Sequence, residues 1–248
     1  MKNKLYILVA IIALLPFVSI AQTTPLWEIK INAGLSIGGT SPLPLPVEVR
    51  KIEKFTPMGF APRVAAEAIY WMDEKWGVAA QLSLDYKGFS VDNRVKNLRT
   101  EIDMGDEKYV GNFTGKNTTT IRNSYITLPV LLTCKLSDRW LMQFGPYFAY
   151  LNHPDFKGSA SDGYIREGSP IGQKTTVEQA SFDFSEHQSR FDVGAIIAGE
   201  WKFYHELALR GQIAWGLKPI FPSDFTGMSF KMYNIYGTLG ISYRLKTF

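Results

Sequence analysis

One stretch, Ser124 to Tyr150, constrains the fold more than any other part of the sequence. Successive side chains of a β-strand point to opposite faces of the sheet, and one face of the first half of this stretch is wholly apolar. That face carries Ile126, Leu128, Val130, Leu132, Cys134 and Leu136. A strand of a soluble protein usually has about five or six residues, whereas a strand tilted across a bilayer needs roughly nine to eleven. The second half, Trp140–Tyr150, repeats the alternation after a short turn. The stretch therefore predicts a β-hairpin that faces lipid.

Composition excludes several other classes of protein. The mean hydropathy of the 248 residues is −0.07, and no second long apolar run follows the N-terminal one, which excludes a helical membrane protein. The average does not count against a membrane barrel, because a barrel carries its membrane signal in alternation. The net charge of +4 is spread along the chain, so a nucleic-acid partner is not expected. The single cysteine, Cys134, excludes an internal disulfide and a multi-thiolate metal site, and we expect it to be a small apolar residue on the outer surface.

The N-terminus has the features of a secretory signal peptide. Lys2 and Lys4 precede an apolar stretch that ends in small residues at Ala21. An uncleaved membrane anchor fits less well, because Pro16 interrupts a segment that is already short for a bilayer. We predict a signal peptide over residues 1–21 and a barrel domain over residues 22–248.

Alternating segments recur along the mature chain and predict an all-β fold. They are residues 27–37, 59–71, 76–87, 124–136, 140–150, 191–200, 207–215 and 233–245. The connections alternate between long and short, as in outer-membrane barrels with short periplasmic turns and long external loops. The sequence thus predicts an antiparallel, up-and-down transmembrane β-barrel of eight strands. Residues 89–119 and 152–187 are predicted to be long, polar external loops.

Charged residues occupy the face opposite the apolar one. A soluble lipocalin-type barrel would bury the apolar face and expose these charges, whereas a membrane barrel accepts them in a polar lumen. Eight strands leave an interior just wide enough for side chains, so we expect a filled lumen without large solute flux. The predicted lumen charge network consists of Lys30, Glu67, Glu200, Arg210 and Arg244.

Aromatic residues cluster next to the short turns and the mature N-terminus. Such clustering at one end of the strands is typical of the aromatic girdle at a membrane interface. The predicted periplasmic girdle consists of Trp27, Trp71, Trp76, Trp140, Trp201, Phe203 and Phe248.

Three segments resemble the PorT-like outer-membrane β-barrel family. Residues 125–132 (YITLPVLL) followed by Phe144-Gly145-Pro146-Tyr147 are similar to its Y-x-x-I-P-L-L…G-P-Y pattern. Phe191-Asp192-Val193-Gly194 resembles an internal strand of the family, and residues 239–245 resemble its closing strand, although this chain continues three residues further. The resemblance implies the barrel fold and the outer membrane. It does not imply a defined function, because one branch of the family belongs to a protein-secretion system and most members have no defined role.

Two functional classes stay open at this point. The favoured one is a structural or interaction protein that contacts outer-membrane lipid, is inserted by the barrel-assembly machinery, needs no cofactor or metal and binds a protein partner through its external loops. Apolar loop residues such as Tyr109, Phe113, Phe156, Tyr164 and Ile165 could touch that partner or pack the loops onto the barrel. The alternative is an acyltransferase- or protease-like enzyme with a site at the external rim. Its candidate residues are His153, Asp155, Asp183, Ser185, Glu186, His187 and Ser189. The same histidines with Asp155 could in principle hold a metal ion.

Overall fold

The computed structural model describes residues 27–58, 60–104, 107–169 and 171–247. The predicted signal peptide, the first residues of the barrel domain and Phe248 lie outside these ranges.

The described residues form eleven strands and one short 3₁₀-helix at Ser185–His187. The strands are β1 (Trp27–Pro42), β2 (Val49–Pro57), β3 (Pro62–Trp71), β4 (Trp76–Met104), β5 (Glu107–Lys135), β6 (Trp140–His153), β7 (Phe156–Glu167), β8 (Lys174–Asp183), β9 (Phe191–Tyr204), β10 (Leu207–Gly216) and β11 (Met232–Thr247). Within the described ranges, no helix has the length and apolar character to cross a membrane.

Antiparallel pairing closes part of this sheet into a ring. The ring runs β1, β3, β4, β5, β6, β9, β10 and β11, and β11 returns to β1 through pairs such as Ala33 with Ile241. β2, β7 and β8 are not members of this ring, although β2 and β8 pair with β4 and β7 pairs with β5. The predicted count of eight strands is therefore wrong, because eleven strands form the sheet.

The three additional strands come from segments that the sequence predicts as loops. β4 and β5 each extend to 29 residues, and their far halves pair with each other up to Met104 and Glu107. β2 pairs with the far half of β4, while β7 pairs with the far half of β5 and with β8. A single pair, Asp103 with Ser181, brings β8 back to β4. We call this unit, made of β2, β7, β8 and residues 88–104 and 107–122, the cap.

The two faces of the ring carry opposite chemistry, and this part of the prediction is confirmed. Leu128, Leu209 and Ile241 point outward, and Leu128 is 50% exposed. Glu67 and Arg210 point inward, and Glu67 is only 2% exposed. Apolar side chains therefore surround the ring, and charged ones lie inside it beside a smaller apolar cluster that includes Ile69 and Leu131, unlike the apolar interior of a soluble barrel. Cys134, in contrast, is buried.

The cap has a hydrophobic core, which is completed by Phe184, Ile220, Phe221 and Met232 from the neighbouring segments. The buried residues of this core include Phe89, Phe113, Ile121, Phe156 and Ile165. Several aromatic rings pack against one another here, among them Phe156 and Phe221 with ring centroids 5.1 Å apart. The cap is thus built like a small soluble protein, with apolar side chains inside and polar ones outside.

Candidate functional site

The lumen of the ring is lined by ionised side chains. Of the described residues, nine buried side chains are charged, four basic and five acidic. They are Glu28, Lys30, Arg63, Glu67, Asp85, Lys87, Asp192, Glu200 and Arg210. Because burying an isolated charge is costly, their near balance is a condition for a stable interior.

Four of the five predicted network residues are joined by ion pairs. Lys30 Nζ lies 2.9 Å from Glu200 Oε2 and 3.2 Å from Glu28 Oε1. Arg210 Nη1 bridges Glu200 and Glu67, at 3.4 Å from Glu67 Oε2. Strand register explains the contacts, because Lys30 pairs with Glu67 across β1 and β3, and Glu200 pairs with Arg210 across β9 and β10.

The fifth predicted residue, Arg244, lines the same cavity as Lys30 and Glu200 but forms its ion pair with a different residue. It is partly exposed near the end of β11, where its guanidinium pairs with Glu206 of the turn between β9 and β10. Its backbone N–H also donates to the Glu206 carbonyl, at 3.0 Å. Alternation in the sequence gives the face on which Arg244 lies but not its height in the barrel, which determines that its ion pair is with Glu206 and not with Glu67.

Glu67 is the centre of the network, and neutral amides complete its shell. Its Oε2 accepts hydrogen bonds from Asn32 Nδ2 at 3.0 Å and Gln81 Nε2 at 2.6 Å. Its Oε1 accepts one from Gln143 Nε2 at 2.7 Å. The sequence prediction missed these amides, although each lies on the polar face of its strand. A search limited to charges could not find them.

A second ion pair lies nearer the cap. Arg63 Nε is 3.1 Å from Asp85 Oδ1, and Arg63 Nη2 donates to Gln81 Oε1 at 2.9 Å. Asp85 Oδ2 accepts from Thr127 Oγ1 at 2.7 Å. This pair therefore connects to the Glu67 cluster through Gln81.

Lys87 occupies an aromatic layer above that pair. Its Nζ lies 4.7 Å from the ring centroid of Tyr125, 5.5 Å from that of Tyr147 and 5.6 Å from that of Tyr236. Such geometry allows cation–π attraction, which is strengthened where water is excluded. Asp192 lies in the same layer and accepts from Tyr147 Oη at 3.0 Å.

An open cavity of about 340 Å³ lies at the short-turn end of the ring and is lined by Glu28, Lys30, Glu200 and Arg244, but the layers further in leave little free volume. Two cavities in the lumen, one between Arg63, Lys87 and Tyr147 and one beside Asn32 and Arg210, measure about 10 Å³ each. A cavity of that size holds about one water molecule. The arrangement is suited to bracing the barrel rather than to passing a solute.

The predicted aromatic girdle is only partly present. Trp27, Trp76, Trp140, Trp201 and Phe203 lie at the short-turn end with exposed side chains, and Trp140 stacks on Trp201 with centroids 6.2 Å apart. Trp71 does not belong to the girdle. It is buried at 3% exposure and donates from Nε1 to Glu28 Oε2 at 3.1 Å. Its position two residues along from Ile69, on the Glu67 face, already places it inward. Phe248 lies outside the described residues.

Some of the predicted rim residues lie together, since Lys157 Nζ is 3.4 Å from Asp155 Oδ1 and 3.7 Å from Asp183 Oδ2. His187 packs against the rings of Phe184 and Phe225, with centroids 6.4 Å and 5.2 Å away. Asp183 Oδ1 accepts from the backbone N–H of Ser185 at 3.0 Å and from its hydroxyl group. Burial raises the pKa of Asp183, but these hydrogen bonds and the nearby Lys157 outweigh it and hold the pKa below its usual value. Across the part of the chain that the structure describes, no three His, Cys, Asp or Glu residues lie close enough together to hold a metal ion.

Apolar loop residues are largely used in the cap itself. Phe113, Phe156 and Ile165 are fully buried in its core, whereas Tyr109 and Tyr164 are partly exposed. The first three therefore pack the cap together and leave its surface to other residues.

Comparison with known proteins agrees with this geometry. The family model described as outer membrane protein beta-barrel domain matches residues 20–222. This chain belongs to that family. It is accordingly a protein of the cell outer membrane.

Solved structures of outer-membrane proteins are distantly similar. The attachment invasion locus protein Ail of Yersinia pestis, in complex with the heparin analogue sucrose octasulfate, is 10% identical with a TM-score of 0.38; the match covers 88% of this chain and 97% of Ail. The outer membrane protein OprG of Pseudomonas aeruginosa is 9% identical with a TM-score of 0.38, and the match covers 90% of this chain and 97% of OprG. No curated protein matches the sequence.

Proposed function

We propose that this protein has a structural or interaction role in the outer membrane, and that its cap presents a preformed surface to a protein partner. The observation that carries the proposal is the folding of the long connections into a sheet with its own core. A rigid surface loses less conformational entropy on binding than a flexible loop, so prior ordering favours affinity. In barrels of this kind the long connections face outward from the cell, which would place the cap outside.

The edge strand of the cap, β2, is a poor candidate for the surface that binds the partner. β2 pairs on one side only, with β4, and carries Lys51, Lys54 and Pro57 together with two register shifts. Lysines, prolines and bulges are features that protect a free strand edge from pairing with another chain. The partner surface is therefore better sought on the far half of β4, where Lys96 and Arg99 are exposed.

Other partners follow from the surface of the ring. Outer-membrane lipid would cover its exposed apolar residues, and the barrel-assembly machinery would insert it. We propose no nucleic-acid partner and no cofactor. We also propose that the protein belongs with the PorT-like barrels, and the support is the similarity of residues 125–132 in β5 and Gly145–Tyr147 in β6 to the PorT-like pattern.

We further propose that the protein is not an enzyme. The support is the packing of His187 against phenylalanine rings, which uses the imidazole in the cap core rather than beside a nucleophile. Alanine at His153 and His187 should leave the cellular phenotype of the protein unchanged. A lost phenotype with intact barrel assembly would favour the rim enzyme.

Charge reversal tests the interaction role. In chemical cross-linking of intact outer membranes, the Lys96→Glu/Arg99→Glu variant should lose a cross-linked species that the wild-type protein forms. The matched control, Lys75→Glu/Arg139→Glu, reverses two exposed charges at the short-turn end and should retain that species. The proposal fails if the wild-type protein forms no such species or if the cap variant retains it.

A further inference from the structure

An apolar cavity of about 140 Å³ lies in the cap, above the filled lumen. Its walls come from the end of β1, from β2 and from the far halves of β4 and β5. Phe55, Phe89, Val95, Leu98 and Met232 are among the lining residues. It is the continuation of the cap core towards the surface, because Phe89, Val95, Leu98 and Met232 also belong to that core.

The size and lining of the cavity favour an uncharged, apolar guest. No side chain in its lining is charged, so nothing there would compensate the burial of an ion. An engineered cavity of about 150 Å³ with Leu, Ile and Phe walls stays dry and binds benzene. The cap cavity, at about 140 Å³, is of similar size, and most of its lining residues are apolar, although Thr40, Ser41, Asn93, Thr100, Asn117 and Thr119 add polar groups.

One polar atom of the lining has no partner. Asn93 Oδ1 is buried and accepts no hydrogen bond within the described part of the chain. The other polar side chains are partly engaged, since Thr40 Oγ1 donates to Asn234 Oδ1 at 2.7 Å and Asn117 Nδ2 donates to Thr119 Oγ1 at 3.1 Å. An unpaired buried acceptor is costly, and a hydroxyl donor on a bound molecule would satisfy it.

The mouth of the cavity is apolar as well. Leu45, Ile52 and Phe55 line the cavity and are each about half exposed. Phe55 stacks on Phe89, with ring centroids 5.6 Å apart. A guest could therefore enter without crossing a charged rim.

We propose that this cavity binds a small uncharged molecule with an apolar body and one hydroxyl group, of about the size of phenol. Asn93 Oδ1 accepts the hydrogen bond of the hydroxyl group, and the phenylalanine rings contact the apolar body. This ligand site goes beyond the interaction role proposed above and does not depend on it.

Gly39 offers a variant that fills the cavity. A Cβ at this position would lie 3.5 Å from Phe89 Cε1 and 3.7 Å from Phe55 Cε2, which is ordinary van der Waals contact. The side chain of Gly39→Leu should therefore occupy the cavity without backbone strain. Gly211→Leu is the matched control, because a Cβ there meets nothing within 4 Å and the residue lies on the outer face of β10.

The test is ¹⁹F NMR of 4-fluorophenol with the purified full chain in nanodiscs, with empty nanodiscs as the blank. We expect the wild type and Gly211→Leu to shift or broaden the signal beyond the blank, and Gly39→Leu to match the blank. Asn93→Leu should reduce the preference for 4-fluorophenol over 4-fluorotoluene by about three- to tenfold, the usual effect of one neutral hydrogen bond.

The wild-type measurement decides the outcome even if a variant fails to fold. A wild-type signal identical to the blank overturns the proposal. Binding by a folded Gly39→Leu variant equal to that of the wild type would overturn the assignment to this cavity.

Discussion

At the residue scale, the stability of the lumen depends on the Glu67 carboxylate and on the hydrogen-bond donors that surround it. A carboxylate only accepts hydrogen bonds, and each group that contacts Glu67 donates one. Removing one partner of a buried ion pair lowers the stability of the protein by more than the intact pair contributes, because the group that remains is buried without its opposite charge or its hydrogen bond.

Glu67→Gln should lower the free energy of unfolding by about 3 kcal/mol, because it removes the charge opposite Arg210 and replaces one acceptor oxygen with an amide NH2 group, a donor that faces other donors. The measurement is the urea unfolding midpoint in detergent. Glu53→Gln is the control, since the Glu53–Arg94 pair is on the surface and its loss should hardly move the midpoint. Equal midpoints for the two variants would contradict the central role of Glu67.

Trp71 gives a second prediction at this scale. In a single-tryptophan protein that retains Trp71, brominated lipids should quench the fluorescence little, because the indole lies inside the ring. A protein that retains only Trp140, whose side chain is half exposed on the outside of the ring, should be quenched strongly. Equal quenching of the two would show that Trp71 faces lipid after all.

At the element scale, β4 and β5 change character along their length. On β4, Asp85 and Lys87 point into the ring, and Phe89 and Val95 point into the cap core. The inward face therefore turns from polar to apolar while the strand continues unbroken. β5 shows the same change between Asn123 and Ile121.

This change explains which parts of the fold could be predicted from the sequence. The ring strands were recognisable because Leu128 and Glu67 obey one rule, apolar outward and polar inward. In the cap the rule is reversed, so the alternation around Val95 and Phe113 resembled a polar loop. The inward face of Lys30, Glu67, Glu200 and Arg210 followed from alternation alone, whereas the height of Arg244 depends on register, which period-two alternation does not contain.

Phe113→Ala should open the cap and leave the ring intact. Removing a buried phenyl ring typically costs about 3–5 kcal/mol, and the loss falls on a unit with a core separate from the lumen. We expect faster hydrogen exchange in residues 88–122 with an unchanged heat-dependent gel shift. Val110→Ala is the control, because Val110 is exposed on the same strand. Uniformly faster exchange in cap and ring would contradict this separation.

At the scale of the whole molecule, the ring and the cap each have an interior, and the two interiors adjoin. The ring has a polar, ion-paired interior, and the cap has an apolar one. Among the described residues, a cavity of about 340 Å³ opens at the short-turn end of the ring, but the middle of the ring is filled, since the two cavities there each hold about one water molecule.

The purified protein should therefore give no steady conductance in a planar bilayer. The filled ring provides the physical reason, and detergent alone serves as the blank. Reproducible current steps above the blank would show that the lumen opens.

The two 29-residue strands also determine how a pull on the outside would travel. Fully extended, each would measure roughly 95 Å, and each runs from the ring into the cap as one continuous strand. A tug at the tip acts along the strand axis, so rows of backbone hydrogen bonds resist it together instead of breaking one by one. β4 and β5 would therefore transmit a load on the cap directly to the ring, and a partner bound to the cap would be held by the outer membrane.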